Sequence, residues 1–154
     1  MIRRATPNDA PGISRLLTQL EYPGTEQFLP GKLPAILADP ASIILVWVAE
    51  PQLPPADLID PGPPGGPILA FLSLYFIPQI ALKGDFARIT YFAVDESAQS
   101  KGIGRHLEAE ATRLAKERGC ALIEVHCHTR RTRAHDFYCR QGFEESPKYL
   151  IKKL

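Results

Sequence analysis

Gly102 and Gly104 stand one residue apart, with an apolar run before them and an amphipathic one after. The first amides of a helix have no intrahelical partners, and the aligned peptide dipoles place partial positive charge beside them. Glycine lets an anion approach such a backbone closely, so the stretch from Ser100 through Ile103 to Arg105 is a candidate phosphate site. Lys101 and Arg105 are cations placed to add to it. Two common phosphate motifs are excluded. No Gly-x-x-x-x-Gly-Lys-Ser/Thr run occurs in the chain. The dinucleotide fingerprint needs a third glycine where Leu107 stands.

A second group of reactive side chains follows. Glu124, His126 and His128 are expected to alternate along one side of a strand, where His126 or His128 could take a proton directly or through a water. His126, Cys127, His128, His135 and Cys139 are all metal-ligand types. Their spacing matches no standard zinc pattern, Cys127 is expected to face away from its flanking histidines, and no metal is expected. The three cysteines are an odd number without a Cys-x-x-Cys pair, which reads as reduced, packed thiols.

Regular elements must position these groups. A short strand is expected at 2–5 and a helix over about 7–20, with Thr6 as cap, Pro7 at the first helical position and Ile13, Leu16, Leu17 and Leu20 on one face. Phe28, Leu33, Ile36 and Leu37 could line a second helix, but Pro30-Gly31 and Pro34 interrupt it, so a broken or short helix is expected. Ser42 to Ala49 and Ile68 to Ile77 are continuous apolar, β-branched runs of the kind covered on both faces. Between them, residues 51–67 are so rich in proline and glycine that they read as a surface loop, with a lid over a substrate as the functional alternative.

Residues 86–94 form the strand that feeds the glycine stretch. The helix after it is expected over 102–118, with Ile103, Leu107, Ala111 and Leu114 inward and Arg105, Glu108, Thr112 and Lys116 outward. A strand at 121–127, a helix at 132–140 and a last strand near 148–153 complete the order. Strand, helix, strand, helix, strand implies an α/β domain with a parallel pair at its centre.

The chain has 154 residues, the size of a single domain spanning 1–154, and is 45% hydrophobic and 23% charged, ordinary for a globular protein. A net charge of +1 gives no support for nucleic acid or an acidic membrane as partner. No signal peptide or membrane span is legible, so a cytoplasmic protein is expected.

Two blocks carry a resemblance. Gln99-Ser100-Lys101-Gly102-Ile103-Gly104, followed by Arg105, resembles the Gln/Arg-x-x-Gly-x-Gly/Ala hallmark of the GNAT superfamily of N-acetyltransferases. Ala134-His135-Asp136-Phe137-Tyr138-Cys139-Arg140-Gln141-Gly142-Phe143 is similar to that family's Ala-x-x-Phe-Tyr-x-x-x-Gly-Phe. Thr6-Pro7-x-Asp9 also looks like the family's opening, so the likeness spans nearly the whole chain.

The resemblance implies a mixed, mostly antiparallel sheet with splayed parallel strands and helices on both faces. It implies acetyl-CoA as cosubstrate, with pyrophosphate on the amides of about Gln99 to Arg105 and the pantetheine arm against Phe92, Ala93 and Val94. Thr129, Arg131 and Phe137 are further expected cofactor contacts. Tyr138 matches the family's usual proton donor to the departing thiolate, and His126 is the candidate base. Relatives often carry a glutamate where Thr90 stands, and an asparagine where Thr129 stands. The activity implied is transfer of an acetyl group from acetyl-CoA to a primary amine, expected to be a small molecule's, in a ternary complex of a monomer or homodimer. A non-catalytic acyl-CoA sensor of the same fold and a protein N-terminal or lysine acetyltransferase are the alternatives.

Overall fold

The computed structural model describes residues 1–49, 66–145 and 150–153. Among the described residues, five strands form one sheet in the order β1 (Ile2–Arg4), β2 (Ser42–Val48), β3 (Ile68–Ile77), β4 (Phe86–Val94) and β5 (Leu122–Val125). Neighbours from β1 to β4 run antiparallel, and β4 and β5 run parallel.

The continuous apolar runs are explained by burial on both faces. Ile43, Leu45, Leu72, Leu74 and Phe76 pack with Ile103, Leu107 and Ala111 of α3 (Ile103–Glu117) on one side. Ile44, Val46, Val48 and Phe71 pack on the other against α1 (Ala10–Gln19) and α2 (Leu29–Ala38). A fourth helix, α4 (Thr132–Arg140), follows β5.

Several local expectations are corrected. Pro7–Asp9 is a 3₁₀ turn that leads into α1, fixed by the Thr6 amide donating to Asp9 Oδ2 at 2.6 Å and the Asp9 amide donating to the Thr6 carbonyl at 3.0 Å. The second helix is a continuous ten-residue α-helix despite Pro34. Pro34 lies on its solvent side, and burial of Leu29 and Leu33 offsets the missing backbone bond, whereas Phe28 is exposed. Glu108 is buried rather than outward, and its Oε1 accepts from the Thr112 hydroxyl at 2.7 Å. Strand β5 ends at Val125, so His126 and Cys127 lie beyond it. Residues 150–153 are not in a strand, and the rest of the expected last strand, at 148–149, lies outside the described residues. The proline-rich loop expected at 51–67 also falls almost wholly outside them.

Candidate active site

The site begins with a fault in a strand. Ser73 of β3 pairs with Tyr91 and Leu74 pairs with Ile89, so Thr90 is an extra residue, a β-bulge in β4. Ala87 and Ile89 face the α3 side of the sheet before it, and Phe92 and Val94 face that side after it. Ala93 faces α1. The bulge therefore shifts the alternation by one residue and turns Phe92 toward α3 and α4. The Thr90 hydroxyl donates back to β3, with the Ser73 carbonyl at 3.2 Å and the Ser73 hydroxyl at 2.9 Å.

The parallel ladder stops at the same level. It joins Phe86 to Leu122 and continues only as far as Ile89 and Val125. Beyond it β4 runs on to Val94 with no strand partner on that edge among the described residues, and the strands part around a cleft of about 800 Å³. Phe92, Ala93 and Val94 line one wall, and Arg131, Ala134, Phe137 and Tyr138 line the facing one.

The glycine stretch closes the end of this cleft. Asp95 caps a 3₁₀ turn at Glu96–Ala98 by accepting from the Ser97 amide at 3.0 Å. The chain then turns through two left-handed residues, Ser100 at φ +61° and Gly102 at φ +80°, before α3 starts at Ile103. A non-glycine residue at 102 would be strained. The His106 ring nitrogen Nδ1 lies 2.8 Å from the Gly102 carbonyl, and Gln99 Nε2 donates to the Val94 carbonyl at 3.4 Å. A Cβ on Gly104 would lie 3.3 Å from the Phe137 ring and 3.6 Å from Phe92, so the absence of a side chain keeps this part of the cleft open. Gln99, Ser100, Gly102, Ile103, Gly104 and Arg105 all line the cleft, and Lys101 does not.

Four guanidinium groups, Arg105, Arg131, Arg133 and Arg140, line it against two carboxylates, Glu96 and Asp136. A chain of nearly zero net charge thus carries a local positive excess beside the first-turn amides of α3. Arg133 and Arg140, like Gln19 and Leu20 at the end of α1, were not singled out from the sequence. The arginines lie in and beside the second motif block, whereas nothing in the sequence ties α1 to the cleft.

A second cleft of about 270 Å³ opens next to the first. Tyr22, Thr90, Tyr91, His126, Cys127, His128, Arg130 and Arg131 are among its walls. Leu20, Phe92, Arg131, Ala134 and Tyr138 line both clefts, so the Tyr138 ring stands at their junction. That ring is half-buried, edge-on to Phe137 and Phe143 with ring centres 5.3 Å away in each case. Burial, and secondarily Cys127, hold its phenol well above the usual value of 10.0.

His126 belongs to the second cleft, and Thr129 to neither. Because the strand ends at Val125, Cys127 lines this cleft together with its flanking histidines instead of facing away. Burial pushes the Cys127 thiol up, which keeps it a neutral thiol. His128 Nδ1 accepts from the Arg130 amide at 3.2 Å, and Glu124 is bound to Arg88 at 2.7 Å. Among the described residues, no three His, Cys, Asp or Glu side chains are grouped to hold a metal ion.

Residues 19–143 match the model of the Acetyltransferase (GNAT) family. The chain belongs to that family. No curated protein matches the sequence. Among solved structures, a transcriptional regulator from Bacillus halodurans C-125 is similar at 23% identity and TM-score 0.80, over 100% of this chain and 99% of that one. An aminoglycoside acetyltransferase from an uncultured soil metagenomic sample, in complex with trehalose, gives 22% and 0.74, over 100% and 95%. An aminoglycoside N-acetyltransferase in complex with CoA gives 15% and 0.75, over 100% and 98%. Likeness at these identities is a likeness of fold, shared here by enzymes and a regulator. What this GNAT chain does must be argued from its own site.

Proposed function

We propose that the protein transfers an acetyl group from acetyl-CoA to the primary amine of a small molecule, with both substrates bound at once. The observation that carries this reading is the junction of two clefts at Tyr138, one ending at the α3 amides and the other at the two histidines. The larger cleft suits the donor. Its glycine end and four arginines fit a pyrophosphate, and the unpaired edge of β4 from Phe92 to Val94 offers backbone groups to the amides of a pantetheine arm. Arg131 and Phe137 face that arm from α4 and the residue before it.

The smaller cleft suits the acceptor, and its size favours a small molecule over a folded protein surface. The neutral amine attacks the thioester carbonyl carbon, forming the C–N bond. The nitrogen's surplus proton leaves to His126, directly or through a water. The C–S bond then breaks, Tyr138 gives its proton to the departing sulfur, and solvent reprotonates the phenolate. The products are the N-acetyl amide and the free thiol of CoA. Cys127 is a neutral thiol, which supports direct attack over an acyl-enzyme.

One observation favours a second reading. Where relatives often carry a glutamate, the Thr90 hydroxyl is committed to Ser73, so a sensor that binds acyl-CoA without turnover is the competitor. Thiol release from acetyl-CoA across an amine panel separates the two. Turnover that Tyr138→Phe removes supports transfer, whereas tight CoA binding with no turnover on any amine supports the sensor.

A further inference from the structure

We infer that the acceptor is an amine that also carries an anionic group, a carboxylate or a phosphate, and that polycations are poor acceptors. This rests on the assignment of the smaller cleft to the acceptor.

Charge carries the argument. Among the described residues that line this cleft there is no Asp or Glu, but there are Arg130, Arg131, His126 and His128. Among the described residues, the carboxylate paired with these arginines is shared by both. Glu21 pairs with Arg130 and, at 3.4 Å, with Arg131. Glu124, the other carboxylate of this region, is committed to Arg88 at 2.6 Å. Among the described residues, the two guanidinium groups of this cleft share one carboxylate, which leaves an excess of positive charge at its mouth.

Geometry divides the work between the arginines. Arg131 is held in place, its Nη2 donating to the Leu20 carbonyl at 2.9 Å, and its side chain is 28% exposed. Arg130 is 62% exposed and, among the described residues, pairs with the similarly exposed Glu21. Its planar fork can take a second carboxylate or a phosphate bidentately. A polyamine or aminoglycoside would instead bring several positive charges against both guanidinium groups. In the same cleft, Tyr22 and Tyr91 meet edge to face at 5.5 Å and present half-exposed rings to the body of the acceptor.

The test uses matched pairs with the protein saturated in acetyl-CoA: phenylalanine against phenylalaninamide, O-phosphoethanolamine against ethanolamine, with spermidine and kanamycin as polycations. The anionic member of at least one pair is expected to have a kcat/KM at least tenfold above its neutral partner and above both polycations. Which pair shows the ratio identifies the anionic group. Arg130→Ala should erase the ratio by raising KM for the anionic amine at least tenfold more than KM for its neutral partner. Glu21→Gly should lower KM for the anionic amine severalfold, since glycine adopts the φ of +70° found at this position without strain and the shared carboxylate is gone. Preference for amides or polycations, or a ratio that survives Arg130→Ala, overturns the inference while leaving acetyl transfer intact. If no amine turns over, the transfer reading fails, and calorimetric titration of the same pairs into CoA-saturated protein still decides the charge preference in either direction.

Discussion

Arg15 and Asp95 lie 80 positions apart in the chain and form an ion pair that fastens the end of β4 to α1. Arg15 Nη2 also donates to the Ile68 carbonyl at 2.7 Å, and Gln19 Nε2 reaches Asp95 at 3.3 Å. On its other oxygen Asp95 accepts from the Ser97 hydroxyl at 2.5 Å and the Ser97 amide at 3.0 Å. One buried carboxylate thereby ties together α1, β3 and the turn that leads into the glycine stretch.

Replacing that carboxylate should cost both stability and donor binding. Asp95→Ala loses several charge-assisted hydrogen bonds, and a destabilisation of about 2–3 kcal/mol is expected. The urea midpoint measures it. The KM for acetyl-CoA should rise with it, whereas a comparably destabilising change remote from the cleft, such as Ile44→Ala in β2, should leave that KM alone.

Acid should unfold the protein through the same residue. The hydrogen bonds from Ser97, then the Arg15 guanidinium, hold Asp95 well below the ordinary value of 3.8 against the opposing effect of burial. Asp9 is also lowered: burial works against its charge, but Arg3 and the Thr6 amide and hydroxyl outweigh it. Carboxylates depressed in the folded state are protonated first in the unfolded one, so their stabilisation is complete above about pH 5 and is lost as pH falls below 4. Urea midpoints at pH 6, 4 and 3 should fall in that order, and Asp95→Asn should flatten the trend.

Tyr138 makes an alkaline prediction. Its phenol is held above 10.0 mainly by burial, so it stays protonated in the free enzyme through pH 10. The profile of kcat/KM should show no downward limb from this group below that pH. In Tyr138→Phe, kcat should drop by about 10²-fold or more with KM for acetyl-CoA little changed, because the ring contacts with Phe137 and Phe143 survive. A limb near pH 9 that disappears in Tyr138→Phe would contradict the raised phenol while leaving Tyr138 as the proton donor.

Gly104→Ala should separate stability from binding. Gly104 is the second residue of α3, outside the helix interior, so the propensity gain from alanine is small and the melting temperature should change little. The added Cβ, 3.3 Å from Phe137, narrows the cleft beside the α3 amides, and KM for acetyl-CoA is expected to rise about tenfold. Unchanged affinity for CoA by calorimetry would remove this part of the cleft from the donor site.

The legibility of these features follows the range of the interactions. Strands β2, β3 and β4 and helices α3 and α4 were readable because each announces itself locally, by continuous apolar runs, by helical spacing or by Gly119 and Gly142 at helix ends. The ten-residue α2 was misread because Pro34 is a local signal, whereas the burial of Leu29 and Leu33 that overrides it depends on partners elsewhere. Glu108 sits on the α3 face beside buried Leu107 and Ala111, where charge alone argued for solvent. The Arg15–Asp95 tie, the second cleft and the Thr90 bulge all need pairing between distant segments. The bulge falls at the exposed pair Thr90 and Tyr91 and shows itself only in the register with β3, which no local pattern carries.

The early end of the β4–β5 ladder has a consequence beyond the shape of the cleft. Along residues 90–94, β4 is bonded to β3 on one edge and, among the described residues, has no strand on the other. On the proposed reading, the donor supplies the missing partner there and bridges the parted strands. Mass action then ties folding to supply: at a donor concentration 100 times its Kd, the native state gains about 2.7 kcal/mol over the unfolded chain. Thermal denaturation in the presence and absence of CoA would read this gain directly. The lifetime of the protein in a cell would then follow the size of the acyl-donor pool as well as the sequence.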